Sequence, residues 1–275
     1  MKESSIIKSN ALVDASYRLS VQEQRIILAA MSQVHYSTKP TDEVMYSITA
    51  EDFGDITGQA LKHVYQELKE AALRLMRREV RIYSEPNGKG KKKRVLLTRW
   101  VQTVAYVENE GKIELRFGKD VLPYLCQLQE QFTIYNLKDV AKMSSAHSIR
   151  LYETLAQWKK IGVKEVSLEW LRDRFQLEDK YPNIRDFKRR VIEPALNDIN
   201  NTSDLWVECD QKKTGRRVSH FIFKFGLKED QKKKKTTRKK TAKIDIYSDS
   251  FLSKHARPGE TKDQAIRRLK EQFSI

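Results

Sequence analysis

No stretch of 18 or more apolar residues occurs in this 275-residue chain, and its start, MKESSIIKSN, lacks the apolar core and cleavage site of a secretory leader. Membrane insertion and export are therefore not expected, and the chain reads as cytoplasmic. Cysteine is almost missing. Cys126 and Cys209 stand far apart, outside any CxxC or Cys/His ligand spacing, which excludes a disulfide scaffold and a zinc cluster and leaves two buried thiols as the expectation. The histidines, His35, His63, His147, His220 and His255, are isolated as well. A metal-dependent nicking enzyme needs closely spaced histidines beside its tyrosine nucleophile, so that chemistry has no candidate here. The glycine-containing GKGKKK lacks the G-x-x-x-x-G-K-[ST] spacing of a phosphate-cradling loop, and Glu51 with Asp52 suits the start of a helix better than an acid pair. The expectation is a protein with no enzymatic activity, no metal and no cofactor.

Acidic residues are the remaining shortage. Lys and Arg number 53 against 37 Asp and Glu, a net charge of +16, and the pI is near 9.6. Such a balance favours a polyanionic partner, DNA or RNA ahead of an acidic membrane surface. Residues 227–275 hold 15 basic and 7 acidic residues, half of the surplus, so the body is basic without its tail. Within that tail KEDQKKKKTTRKKTAK has almost no apolar content and is expected to be disordered, whereas TKDQAIRRLKEQF has the pattern of a short helix. With 39% hydrophobic residues the rest can fill a core in each of two domains.

Periodicity reveals one layout used twice. LSVQEQRIILAAMSQV opens with Ser20 and Glu23 at capping-box spacing and continues with apolar residues at helical intervals. A short strand, VMYSI, follows. TAEDFGDI reads as a brief helix, Thr57-Gly58 as a turn and QALKHVYQELKEAALRLMRR as a longer helix; two helices across a tight turn suggest helix-turn-helix. VRIYS and RVLLTRWVQTVAYV are then strands of a hairpin around EPNGKGKKK, KIELRF adds a strand, and KDVLPYLCQLQEQF is expected to be a helix. The second half repeats this order: helix SSAHSIRLYETLAQWKK, strand EVSL, short helix LEWLRDRF, long helix NIRDFKRRVIEPALNDIN, and strands LWVECD and SHFIFKF around QKKTGRRV. The expected class is α+β, two tandem winged-helix domains with a disordered basic C-terminal tail: residues 1–135, residues 136–226 and a lysine-rich 227–275.

The second long helix carries Arg185, Lys188, Arg189 and Arg190 in its first two turns, at the end where the helix dipole disfavours cations. Ile184, Phe187, Val191, Ala195 and Ile199 share its apolar face; Asp186, Arg189, Arg190, Glu193 and Asn197 lie opposite. One reading is a solvated surface in which Asp186 pairs with Arg190 and Arg189 with Glu193 at i,i+4. Against it, the following hairpin adds Lys212, Lys213, Arg216 and Arg217, so helix and wing tip are basic together. The first half echoes this with Lys62, Lys69 and the tip Lys89, Lys91, Lys92, Lys93 and Arg94. A helix of this kind fits the major groove, about 12 Å wide, where Arg can bond guanine with two parallel hydrogen bonds and Asp186 can accept from cytosine, while a wing lysine needs only phosphate. Pro194 is expected to kink the helix near Arg190. Trp100, Trp158, Trp170 and Trp206 sit in apolar patterns, as core rather than base-stacking platforms, which disfavours single-stranded RNA.

With SNALVDASYRLSVQEQRIILAAMSQV, SIRLYETLAQW and FKRRVIEPALNDIN in place, the chain resembles the iteron-binding plasmid replication initiators that carry paired winged helices, in order over residues 6–226. The resemblance implies a bacterial, plasmid-encoded initiator whose monomers bind direct repeats in double-stranded origin DNA and whose homodimers repress the protein's own promoter. It assigns most base contacts to Asp186, Lys188, Arg189 and Arg190, places dimerisation in the first winged helix near 95–107 and the opening helix, and implies a host initiator ATPase and replicative helicase as partners. A dimeric repressor without an initiator role is the nearest alternative.

Overall fold

The computed structural model describes residues 4–34, 41–58, 61–83, 94–107, 110–125, 131–230 and 260–273. In chain order the elements are β1 (Ser5–Ser9), α1 (Asn10–Val13), β2 (Ser16–Tyr17), α2 (Val21–Met31), β3 (Tyr46–Thr49), α3 (Ala50–Thr57), α4 (Leu61–Leu75), β4 (Glu79–Ile82), β5 (Leu96–Arg99), β6 (Val101–Val107) and β7 (Lys112–Phe117). They continue with β8 (Phe132–Asn136), α5 (Leu137–Ala141), α6 (Ala146–Ala156), β9 (Val163–Ser167), α7 (Leu168–Phe175), α8 (Ile184–Phe187), α9 (Glu193–Thr202), β10 (Leu205–Thr214), β11 (Arg217–Leu227) and α10 (Lys262–Phe273). Residues 1–228 form one compact unit and 229–275 another. In the second, α10 occupies the segment whose pattern predicts a short helix; the expectation of disorder falls largely on residues outside the described ones.

Local chemistry sets the helix starts. Ser20 accepts from the Glu23 amide while the Glu23 carboxylate accepts from the Ser20 amide, the reciprocal box expected at the head of α2. Thr49 and Asp52 repeat it for α3, which ends at Gly58 with φ +71°, a left-handed conformation that costs glycine little.

The same arrangement recurs in the two halves. In the first, α2, β3, α3 and α4 lead to a three-stranded antiparallel sheet ordered β3-β7-β6; in the second, α6, β9, α7 and the long helix lead to β9-β11-β10. Ile48 faces Ile113 across one sheet as Val166 faces Phe221 across the other. This corrects the expected position of the first wing. Hairpin β6–β7 corresponds to β10–β11, whereas the hairpin bearing the lysine-rich tip, β4–β5, belongs to a separate sheet ordered β2-β4-β5. The physical reason is Trp100: fully buried, it breaks the run RVLLTRWVQTVAYV into two strands that pair in different sheets, although the β-branched and aromatic residues on both sides of it read as one continuous strand. A second correction concerns KDVLPYLCQLQEQF, whose described part makes only a 3-10 turn, Leu122–Tyr124; Pro123 is tolerated there because a first turn needs no donor from it.

Strand β1, paired with β8, and strand β2 were not expected from the pattern. They bring the halves together around α6. Arg150 donates to the carbonyls of Val13, Ala15 and Tyr17 and lies 3.5 Å from the centre of the Tyr17 ring. Glu153, fully buried, accepts from Lys8 at 2.5 Å and from the hydroxyls of Tyr17 and Tyr135. Arg25 of α2 reaches the carbonyls of Ala141 and Met143. Charge this deep is tolerated because every formal charge has a partner or several carbonyls around it.

Candidate nucleic-acid interface

The long helix of the second half departs from α geometry where the sequence predicts a kink. Between α8 and α9 residues Lys188–Ile192 form a π turn, and α9 begins with Pro194 in its first turn. Proline has no N–H to give the carbonyl four residues back, that of Arg190, so the helix takes up one extra residue there. Phe187, Val191, Ala195 and Ile199 are buried as the pattern requires, and the π turn adds Ile192 to them. Phe187 stacks on Phe221 of β11 at 6.2 Å, which fixes the helix to the sheet. Asp198 fixes its far half: the carboxylate accepts from the amides of Ser144 and Ser145 and the hydroxyl of Ser148, at the head of α6.

Strands β10 and β11 run the full length of the wing, through Lys212, Lys213 and Arg217, and turn over only Gly215 and Arg216, with Gly215 at φ +62°. A bulge between Lys212 and Lys213 shifts the side-chain alternation near the tip. Helix and wing thereby enclose an open cleft of about 770 Å³, lined by Arg185, Lys188, Arg189, Lys213, Arg216 and Arg217, with Gln211 and one acid, Glu193. Arg185, Lys188, Lys213, Arg216 and Arg217 have no ion-pair partner among the described residues. Six cations around one cleft with a single carboxylate make a local positive potential suited to a polyanion.

The other expected site residues divide. Arg190 and Asn197 are exposed but do not line the cleft. Asp186 accepts from Arg189 at 2.8 Å, an i,i+3 pair, so the expected Asp186–Arg190 and Arg189–Glu193 pairs are replaced by Asp186–Arg189. The π turn changes the angular spacing past Phe187, which is why i,i+4 partners fail to meet. Lys212 pairs with Glu165 of β9 at 2.8 Å and does not line the cleft, and that hydrogen bond holds the Glu165 carboxyl below its ordinary pKa. In the first half Lys69 packs over the Tyr106 ring at 4.0 Å, Arg94 is exposed, Lys62 lies on α4, and Lys89, Lys91, Lys92 and Lys93 lie outside the described residues. Cys209, half-buried near Lys188, has its thiol pushed up to about 12 by burial, so it is an inert packing group. Cys126 lies outside the described residues. No cluster of His, Cys, Asp or Glu able to hold a metal occurs among the described residues, and none of their helices is long and apolar enough to cross a membrane.

Models of the initiator replication protein family match both halves: its first winged-helix model covers residues 5–156 and its second 167–225. The chain belongs to that family. Among relatives of this initiator, an uncharacterised 27.6 kDa protein of Escherichia coli is 28% identical over 81% of this chain and 96% of its own length. A replication initiation protein of Escherichia coli is 28% identical over 82% of this chain and 71% of its own length. The crystal structure of Pi initiator protein in complex with iteron DNA matches with a TM-score of 0.68 at 22% identity, covering 84% of this chain and all of that one, so the two share the paired winged-helix fold.

One cluster of arginines in the initiator escapes sequence reading. Arg18, Arg77, Arg78 and Arg81 line a second cleft of about 690 Å³ with Glu79 and with Gln176, Glu178 and Asp179 of the loop after α7, four cations against three acids. These arginines come from two distant segments of the first half, Arg18 before α2 and the others from the α4–β4 turn onward, so only tertiary structure collects them. Arg78 is held by Glu23 in two bonds of 2.9 Å; Arg18, Arg77 and Arg81 are exposed.

Proposed function

We propose that this replication initiator reads repeated sites in double-stranded origin DNA with the helix–wing cleft of its second winged helix. The observation that carries the reading is the convergence of Arg185, Lys188 and Arg189 from the helix with Lys213, Arg216 and Arg217 from the wing on one cleft. The helix cations face base edges and the wing cations face phosphate, since a paired Arg fork discriminates bases whereas a turn tip reaches the flanking backbone. The π turn and Pro194 keep the reading end in register with a sheet-anchored core while leaving the far half to Asp198.

The first winged helix adds backbone contacts, through Arg18, Arg77 and Arg81 beside the loop that enters the reading helix. The protein binds direct repeats as a monomer and represses its own promoter as a dimer. Exposed Val95 and Leu97, two residues apart on β5 and just before it, favour self-association through that half. Its work is assembly rather than chemistry: raised occupancy of neighbouring repeats, distortion of adjacent DNA, and recruitment of a host initiator ATPase and replicative helicase. The complex of Pi initiator protein with iteron DNA supports the reading by likeness of fold.

Selection of duplexes from a random pool by the full chain at about 0.15 M salt tests this reading, because weak charge attraction is screened there. One directional motif spanning roughly two helical turns, about 20 bp, is expected from two modules on one duplex. A palindrome of half that length makes the protein a simple dimeric repressor, and no enrichment removes the base-reading role.

A further inference from the structure

The loop from α7 into the reading helix, residues 176–183, is short and contorted. Gln176 and Tyr181 are the only non-glycine residues at positive φ among the described residues, at +51° and +53°. Tyr181 also precedes Pro182, and proline ordinarily pushes the residue before it into extended backbone. Backbone of this kind persists only where its surroundings over-determine it.

Backbone bonds close the first part of the loop, Gln176 donating to the Asp173 carbonyl as the left-handed cap of α7, Leu177 to that of Arg172 and Lys180 to that of Leu177, and one side chain ties these turns to Tyr181. The guanidinium of Arg172, on α7, donates to the carbonyl of Leu177 at 3.2 Å, of Lys180 at 2.6 Å and of Tyr181 at 2.6 Å, so it spans the loop from start to end. Its flat face lies 4.8 Å from the centre of the Phe187 ring, the core anchor of α8. The helix that carries it is fixed at the next residue: the Asp173 carbonyl accepts from Ser16 and its carboxylate from the Tyr83 hydroxyl, both in the first half. From anchored helix to loop to helix entry, the geometry converges on Arg172.

Resting on the DNA-reading role proposed above, we infer that Arg172 is a positioning residue for sequence recognition: it touches no DNA and sets the entry angle of the reading helix by holding the 176–182 loop in one conformation. One terminal nitrogen serves Leu177 and Lys180 and the other serves Tyr181, a spread that the single ammonium nitrogen of lysine, with donors in a different geometry, does not reproduce.

The test is Arg172→Lys in the full chain, because net charge is kept. Affinities of wild type and variant for a duplex recovered by the pool selection, and for a scrambled duplex of the same composition, give a specificity ratio for each. The inference expects the ratio to fall at least tenfold, with scrambled-duplex affinity and its salt dependence unchanged and backbone amide exchange quickened at 183–190 but not in α2. A ratio within twofold of wild type overturns it, as does an equal loss on both duplexes. Unfolding throughout, with exchange raised in α2 as well, places Arg172 in general stability and overturns it too. If wild type itself prefers no sequence, the reading of the cleft fails first, and that result is seen before any variant is made.

Discussion

Arg189 is the side chain on which base recognition is most exposed to test, because Asp186 already orients it at 2.8 Å while it lines the cleft. Arg189→Ala is expected to weaken binding to the selected duplex by about 1–3 kcal/mol and to scrambled DNA by far less, read by titration at fixed salt. Lys8 and Glu153 make a stability prediction of another kind. Removing one partner of this buried pair leaves an uncompensated charge, so Lys8→Met is expected to cost about 3–5 kcal/mol in denaturant unfolding, and Lys8→Met with Glu153→Gln less, because the amide oxygen still accepts from the hydroxyls of Tyr17 and Tyr135. His147 supplies the pH dependence. Burial, with Arg150, Arg18 and Lys180 nearby, lowers its pKa from 6.5 to about 4. A depressed histidine is protonated first in the unfolded chain, so its contribution is complete above pH 6.5 and is lost as pH falls from there to 4, by on the order of 1 kcal/mol per pH unit. Denaturant midpoints measured across that window should flatten in His147→Phe, whose ring keeps the stack on Phe175.

At the scale of elements, the regular helices and the wing strands were legible because capping boxes and apolar periodicity act locally: Ser20 with Glu23 is enough to place the head of α2. The π turn was half legible, since Pro194 announces a kink near Arg190 but not the extra residue that moves Asp186 to Arg189. What stayed hidden depends on distant partners. Strand β1 pairs with β8, more than a hundred residues away, and the break at Trp100 is a matter of burial within a run whose β-branched and aromatic residues continue on both sides of it. The cations of the main cleft could be found because they are close in sequence; Arg18, Arg77 and Arg81 could not. The wing offers its own test. Gly215 sits at φ +62° with open space where a side chain would begin, so Gly215→Ala meets no clash and costs about 1 kcal/mol or slightly more through backbone strain alone. Thermal or denaturant unfolding of that variant reads the cost directly. Arg217→Gln nearby is expected to weaken binding to all duplexes alike and to reduce the slope of log affinity against log salt by about one.

Across the whole molecule, two copies of one arrangement have diverged in charge. The second presents cations from both its helix and its wing on one cleft, whereas the first has its lysine-rich tip on an added hairpin and its exposed arginines beside the loop that feeds the reading helix. Buried polar ties through Arg150, Glu153 and Arg25 run between the two, so a reading helix held by Asp198 against the head of α6 is referenced to both halves. The central claim is that the cleft between helix and wing distinguishes DNA sequences. Its most direct measurement is the affinity of the full chain, and of the variant with Arg185, Lys188 and Arg189 all changed to Ala, for the selected and scrambled duplexes over a range of salt. The account predicts that the wild type prefers the selected duplex at every salt concentration and that the variant binds both duplexes equally. A variant that keeps the wild-type preference would contradict it.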